Sequence, residues 1–509
     1  MAWWQWTVWG AVVGAPLVLA MVMWWRSVHW RRRNEPVENH RRSDNGLAPV
    51  ADPLLPWYKN VLVSPWTWLV VLLFAFGAFA LWVQYQWVYS GLVASILQLL
   101  EEAEVAPQTL TVGAYNEGLI SCLGYAAITL GAYFLLFAIF DRWRPTTPTM
   151  KVVALVWGAT VATFLSMILN SWVGQLLTES KSGEEIADAA TAIFVAPFVE
   201  EACKATVLFL LVMAMRRRVV SVLQMIGLAG LSAVGFAFVE NIVYYVRLYC
   251  TAALVVGPEA DAYLRQMFML RGVYTSFGHP LFTMMTAFGL IAGLKQRSKI
   301  ARIICPLSGF LVAALLHMCF NGLATVSEDF MPLVIYGLMM ILGVTGWLFG
   351  QFMLQKRVIS WRLDDYVRMG WLRDRDPVVY SAMLSRLKLS VAGWLRGWRI
   401  GKATTSLMAT VTELAYLRHG EVTGTIDGGS QGRAHELVVA ASALRGIALD
   451  EPVDLRVVPK CRGPEAWHTF KAWRARRLSR RQAQREAAAA LVTPAAWEQP
   501  VPRDILLPV

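Results

Sequence analysis

Glu200, Glu201 and Lys204 lie in the stretch FVEEACKATVLFLLVMAM, where nearly every neighbour is apolar. Three more sites share that oddity: Glu240 in FAFVEN, His279 in HPLFT and His317 in HMCFN. Carboxylates and imidazoles are the side chains that hold divalent metals and move protons near neutral pH. No serine or cysteine stands beside them in a nucleophile motif, so they point to activation of water. Two chemistries are open. In one, Glu240, His279 and His317 hold Zn2+ or another divalent metal, and Glu200 or Glu201 is the general base. In the other no metal is needed: a buried glutamate deprotonates water directly, while histidine and asparagine stabilise the oxyanion. Lys204 follows Glu200 by four residues, shares its helical face and sets the charge of the glutamate pair. Asn241 adjoins Glu240, Tyr244 falls on the face of Glu240, Thr283 on that of His279, and Asn321 on that of His317.

Such residues need elements that carry them through an apolar medium. The chain of 509 residues is 56% hydrophobic and only 16% charged, with a mean hydropathy of +0.46. Soluble domains hold about 25% charged residues, so the composition reads as a polytopic membrane protein. The 23 tryptophans fit that class, since indole favours the lipid–water boundary. A net charge of +12 is explained by basic cytoplasmic loops, and no nucleic-acid partner is expected. Six scattered cysteines form no C-x-x-C pair, which argues against a disulfide framework or a thiolate metal site.

A hydrocarbon core of ~30 Å needs about 20 apolar residues in a helix. Nine stretches meet that need, near 3–25, 62–88, 117–140, 152–175, 191–215, 220–247, 271–294, 302–326 and 331–354. The first lacks the basic lead of a cleavable signal and is read as a retained span. Loops such as RSVHWRRRNEPVENHRR, DRWRPTTPTMK and KQRSK alternate with EEAEVAPQ, ESKSGEEIAD and SEDF. The basic set is cytoplasmic by the positive-inside rule, which puts the amino terminus outside and the carboxyl terminus inside.

That topology brings the ionisable residues to one layer. Counted from the span ends at 1.5 Å per residue, Glu200, Glu240, His279 and His317 all lie ~10–14 Å below the outer surface. Arg271 sits at an outer edge, from which its side chain can reach water. Pro197 and Pro280 each remove a backbone donor close to this layer and loosen the helix there. Singly, each residue has a structural explanation as a tether, a packing imidazole or an interhelical clasp. Three carboxylates and two imidazoles at one depth are too costly to bury without a use.

In order, EEACK, FAFVEN, HPLFT and HMCFN on four consecutive spans resemble the PrsW family of intramembrane proteases, classed as metallopeptidases and related to the CAAX-processing group. The related group shows EExxxR, which would place a basic residue at Ala205; this chain has Lys204 instead, as in the PrsW branch. The resemblance covers roughly residues 190–326. It implies site-specific cleavage of a single-pass membrane protein near its extracytoplasmic face, an anti-sigma factor being the best-known type. Its motif residues here are Glu200, Glu201, Lys204, Glu240, Asn241, His279, His317 and Asn321.

The competing reading is a proton- or ion-coupled transporter, because intramembrane Glu, His and Lys also build relays. Transporters favour inverted repeats and midplane sites, whereas these residues lie off-centre in halves that do not echo each other. A third reading is a non-catalytic scaffold whose tail recruits partners. The expected fold is an all-α transmembrane bundle of about nine spans with a small helical cytoplasmic C-terminal domain. Residues 1–60 are read as an N-terminal span and basic loop, 61–190 as accessory spans, 191–354 as the catalytic core and 355–509 as the tail. Within the tail, DPVVYSAMLSRLKLSVAGWL and AHELVVAASALRGIAL have helical spacing, GTIDGGSQG is a turn or linker, and the basic, Ala-rich end reads as a solvated helix. The expected partners are a membrane-protein substrate and the lipid bilayer.

Overall fold

The computed structural model describes residues 3–34, 57–102, 110–140, 146–179, 184–215, 222–255, 257–296, 298–327, 331–423, 430–450 and 479. Helix is the only regular structure among them, as a bilayer requires of spanning segments that do not close a barrel. The long elements are α1 (Trp3–Asn34), α2 (Pro65–Glu102), α3 (Val112–Phe140), α4 (Pro148–Leu177), α5 (Ala196–Met215) and α6 (Val222–Val255). After them come α7 (Ala260–Met267), α8 (Gly278–Leu294), α9 (Lys299–Val326) and α10 (Met331–Arg368).

Among the described residues, seven helical stretches are long and apolar enough to cross a membrane. Two of the nine expected spans are not in that set. The stretch 191–215 misses because Glu200, Glu201 and Lys204 break its apolar run, the feature that drew attention to it. The stretch 3–25 lies in α1, where the side chains of residues 1–14 fall outside the described residues. The expected span at 271–294 is longer than its apolar core: α7 and α8 form one candidate, Ala260–Leu294.

The chain divides into two compact units, one running to Trp347 and the other from Leu348 onward. In the first unit α6 is central, with 89% of its apolar window buried. Its sequence explains this. Gly227, Gly230, Ser232, Ala233, Gly235 and Ala237 keep its surface low, so neighbouring backbones approach closely. On α4, a Cβ at Gly158 would lie 1.8 Å from the Ser232 carbonyl oxygen of α6, so only glycine fits. The α8–α9 hairpin closes the same way, with a Cβ at Gly289 falling 2.3 Å from the Cys305 oxygen. Side chains then pin helices to backbones. Trp157 Nε1 donates to Cys203 O of α5 at 3.0 Å, and Ser232 Oγ donates to Lys204 O at 2.9 Å.

Turns of π-helix interrupt these elements at Trp157–Ala162 within α4, Thr191–Val195 before α5, and Phe268–Tyr274 after α7. Such turns carry an extra residue, shift the register of the helix beyond them and gather near functional sites. The two prolines fall downstream of the interruptions instead of making them. Pro197 lies in the first turn of α5, and Pro280 in the first turn of α8, where a missing donor costs little.

The second unit contains α11 (Asp376–Ser381), α12 (Met383–Leu395), α13 (Trp398–Val422) and α14 (Ser430–Arg445). Tyr366, Leu414, Ala434, Leu437 and Val438 form a core there. Asp376 pairs with Arg445, and Asp450 with Arg373 at 2.9 Å. The helical reading of the tail holds over most of 355–422 and over 430–445, whereas residues 446–449 turn out of the helix. Most of the expected linker GTIDGGSQG and nearly all of the basic end lie outside the described residues.

Candidate active site

Glu200, Glu201 and Lys204 occupy the first half of α5, Glu240 and Asn241 the middle of α6, His279 the first turn of α8, and His317 and Asn321 the second half of α9. Helix packing gathers the ionisable side chains of this set into one cluster. One oxygen or nitrogen each of Glu200, His279 and His317 lie within 4.8 Å of one another. This is the convergence that the equal depths predict.

Lys204 is wholly buried and organises the cluster. Its Nζ lies 2.6 Å from Glu201 Oε1, 3.7 Å from Glu200 Oε2 and 2.9 Å from His279 Nδ1, and it sits 4.4 Å over the Phe236 ring. The close partner is therefore Glu201 at i,i+3, and the i,i+4 glutamate expected from spacing is the more distant one. Glu201 is equally buried and accepts from Thr283 Oγ1 at 2.7 Å. Glu200 keeps 11% of its side chain exposed, and its buried Oε2 makes no hydrogen bond.

The histidine tautomer is fixed by donor arithmetic. An ammonium can only donate, so His279 Nδ1 accepts from Lys204 and Nε2–H donates to Glu240 Oε2 at 2.7 Å. His317 lies with Nδ1 3.2 Å from Glu201 Oε1 and Nε2 4.0 Å from Glu200 Oε2, its ring stacked on Phe282. Glu240 thus backs His279 through a hydrogen bond, the arrangement that orients metal-ligating histidines, whereas Glu201 Oε1 lies near His317 Nδ1 without one.

Arg271 departs from its expected snorkelling position. The π turn that carries it aims the guanidinium inward, where Nη2 meets Glu240 Oε2 at 3.1 Å and Nε donates to Asn241 Oδ1 at 3.0 Å. The face of Tyr244 lies 3.8 Å beneath it, so that tyrosine serves Arg271 as well as the glutamate face. Thr129 of α3 anchors the same turn by donating to Gly272 O at 2.9 Å. Asn321 Nδ2 donates to Ala192 O of another π turn. Three carboxylates, Glu200, Glu201 and Glu240, meet two fixed cations, Lys204 and Arg271, in this cluster.

A cavity of about 1120 Å³ reaches this cluster. Glu200, Glu240, Arg271, His279, His317 and Asn321 line it, whereas Glu201 and Lys204 do not. It runs past Asn170 and Gln175 of α4 to Thr178, Glu179 and Asp188, and Trp87 of α2 and Tyr133 of α3 close one flank. The spans read from sequence as accessory therefore contribute wall.

Residues 146–347 match the family model described as PrsW family intramembrane metalloprotease. Over this segment the chain is similar to the PrsW family. The match reaches upstream of residue 191 to take in α4, which packs on α5 and α6 and lines the cavity, and it ends where the first compact unit ends. The chain is thus a multi-pass membrane protein carrying an intramembrane protease segment. No curated protein and no solved structure matches it.

The PrsW-family name implies a metal, and the donors fit one. Glu200, His279 and His317 supply the oxygen and nitrogen atoms that zinc takes, and Glu200 Oε2 is a buried acceptor without a hydrogen bond. The 4.0 Å between Glu200 Oε2 and His317 Nε2 exceeds the ~3.3 Å between two ligands of a tetrahedral zinc, so these side chains would draw together on a metal. The set that converges contains Glu200, while Glu240 is held by Arg271 and the far nitrogen of His279.

Proposed function

We propose that the chain hydrolyses a peptide bond of a membrane-embedded protein inside this cavity, with water handled at Glu200. The supporting observation is the convergence of Glu200, His279 and His317 at the wall of a polar cavity. Of the two adjacent glutamates, only Glu200 faces the space a substrate would fill.

Each residue then has a role. Glu200, His279 and His317 would hold the metal that the family name implies, His279 Nδ1 giving up its hydrogen bond from Lys204 to do so. A bound divalent ion would acidify its water and polarise the scissile carbonyl. Glu240 fixes the His279 ring through Nε2–H, and Arg271 with Asn241 fixes Glu240. Glu201 stands behind His317 and, with Lys204, forms a sealed pair under the site. Glu200 accepts the proton of water where no metal is required. Asn321 at the cavity wall offers an amide donor to the developing oxyanion.

The substrate class is a single-pass membrane protein, an anti-sigma factor or similar regulator by the family resemblance. The cut falls near the extracytoplasmic face. The cavity runs to Thr178, Glu179 and Asp188 beside the acidic loop, and loop charge puts that end of α4 outside. Cells carrying the wild type are expected to contain shortened single-pass proteins that are absent from cells carrying Glu200→Gln. Identical membrane proteomes, under conditions where the wild type is needed, would return the cluster to an ion relay.

A further inference from the structure

Among its described residues, the second unit carries a surface that their packing does not use. Between Asp376 and Glu413 there is no acidic residue, yet Arg386, Lys388, Arg396, Arg399 and Lys402 supply five basic ones. Arg386 is used internally, donating to Tyr380 O and Thr412 Oγ1, while Lys388, Arg399 and Lys402 are exposed. Along the same stretch Leu384 is 63%, Leu395 79% and Trp398 70% exposed. Leu384, Lys388, Val391 and Leu395 have helical spacing and make one stripe of α12. The stripe ends at a built corner. Gly397 turns α12 into α13 at φ 118, a conformation that favours glycine. Trp394 packs on Gly401, where a Cβ would come within 2.5 Å of its ring, and meets Trp398 edge to face at 5.0 Å.

We propose that this corner docks on an anionic bilayer surface, with Leu395 and Trp398 entering the headgroup boundary and Lys388, Arg399 and Lys402 meeting lipid phosphates. Charge complementarity favours this occupant: basic residues around exposed tryptophan and leucine, in a stretch of sequence without acidic ones, are the pattern of interfacial elements on anionic leaflets. A bilayer is also within reach of every copy, because α10 runs from an apolar span into this unit. The inference is independent of the proposed protease activity.

The test uses the full chain, one copy per lipid nanodisc, with an environment-sensitive fluorophore on Leu395→Cys. Val422→Cys is the reference, about 36 Å from Trp398 along α13. The parent chain labelled in parallel removes the signal of the native cysteines. In discs containing phosphatidylglycerol, acyl-brominated lipid is expected to quench the label at 395 about two-fold or more above that at 422. Arg399→Glu with Lys402→Glu is expected to abolish the excess, as are discs of phosphatidylcholine alone. Equal quenching at 395 and 422 overturns the proposal. Excess quenching that ignores lipid charge overturns the anionic assignment, and shielding that appears only with two copies per disc shows a self-interface instead.

Discussion

At the scale of single residues, Lys204 is the group on which the others depend. It is fully buried between Glu201, His279 and Phe236, so its removal leaves Glu201 ionised with no cation against it. Breaking a buried pair from one side costs about 3–5 kcal/mol. Lys204→Met is therefore expected to lower thermal stability strongly. Lys204→Met with Glu201→Gln should regain most of that stability, because the uncompensated charge is gone. Neither variant should regain full activity, since both lose the cation that lies beside Glu200 and His279. A double variant as unstable as the single one would contradict the pairing. The metal reading has its own check: purified wild type should hold one zinc per chain, and His317→Ala should lose it. Zinc-free yet active enzyme would leave Glu200 as base without an ion.

At the scale of elements, close approach of helices holds the residues in place. Gly158→Val puts atoms where the Ser232 carbonyl lies, so α4 and α6 must part. The cost should exceed the ~1–3 kcal/mol of ordinary overpacking. Folded yield should collapse, whereas Gly91→Ala on α2, with nothing within 4 Å of its new Cβ, should be neutral. Equal yields would mean that the two helices have slack. Much of this layer was legible in sequence. Glu200, Glu240, His279 and His317 stood out because ionisable groups are rare in apolar helices, and counting residues from the span ends put them at one depth. What escaped was rotation. Arg271 sits at the edge of an apolar run, and spacing could not reveal that a π turn would swing it onto Glu240. The same limit hid the choice between Glu200 and Glu201 as partner of Lys204, since i,i+3 and i,i+4 both share a helix face. The part played by α4 was hidden too, because its cavity face is made of neutral Asn170, Ser171 and Gln175, which no charge count marks.

At the scale of the whole molecule, loop charge predicts an orientation with the basic loops inside. Single cysteines placed in KQRSK should resist a membrane-impermeant reagent added outside intact cells, while cysteines in ESKSGEEIAD should react. The reverse pattern would move the proposed cut to the cytoplasmic side and leave the cluster itself unaltered. Hydrolysis of membrane proteins at Glu200 can be followed with purified components. Membrane proteins from cells lacking this chain would be incubated with purified wild type or with Glu200→Gln, and new peptide termini mapped. A small set of new termini near one membrane face of single-pass proteins, produced by the wild type alone, is the expected result. New termini appearing equally with Glu200→Gln, or none with either under conditions where the folded wild type retains its metal, would contradict the claim.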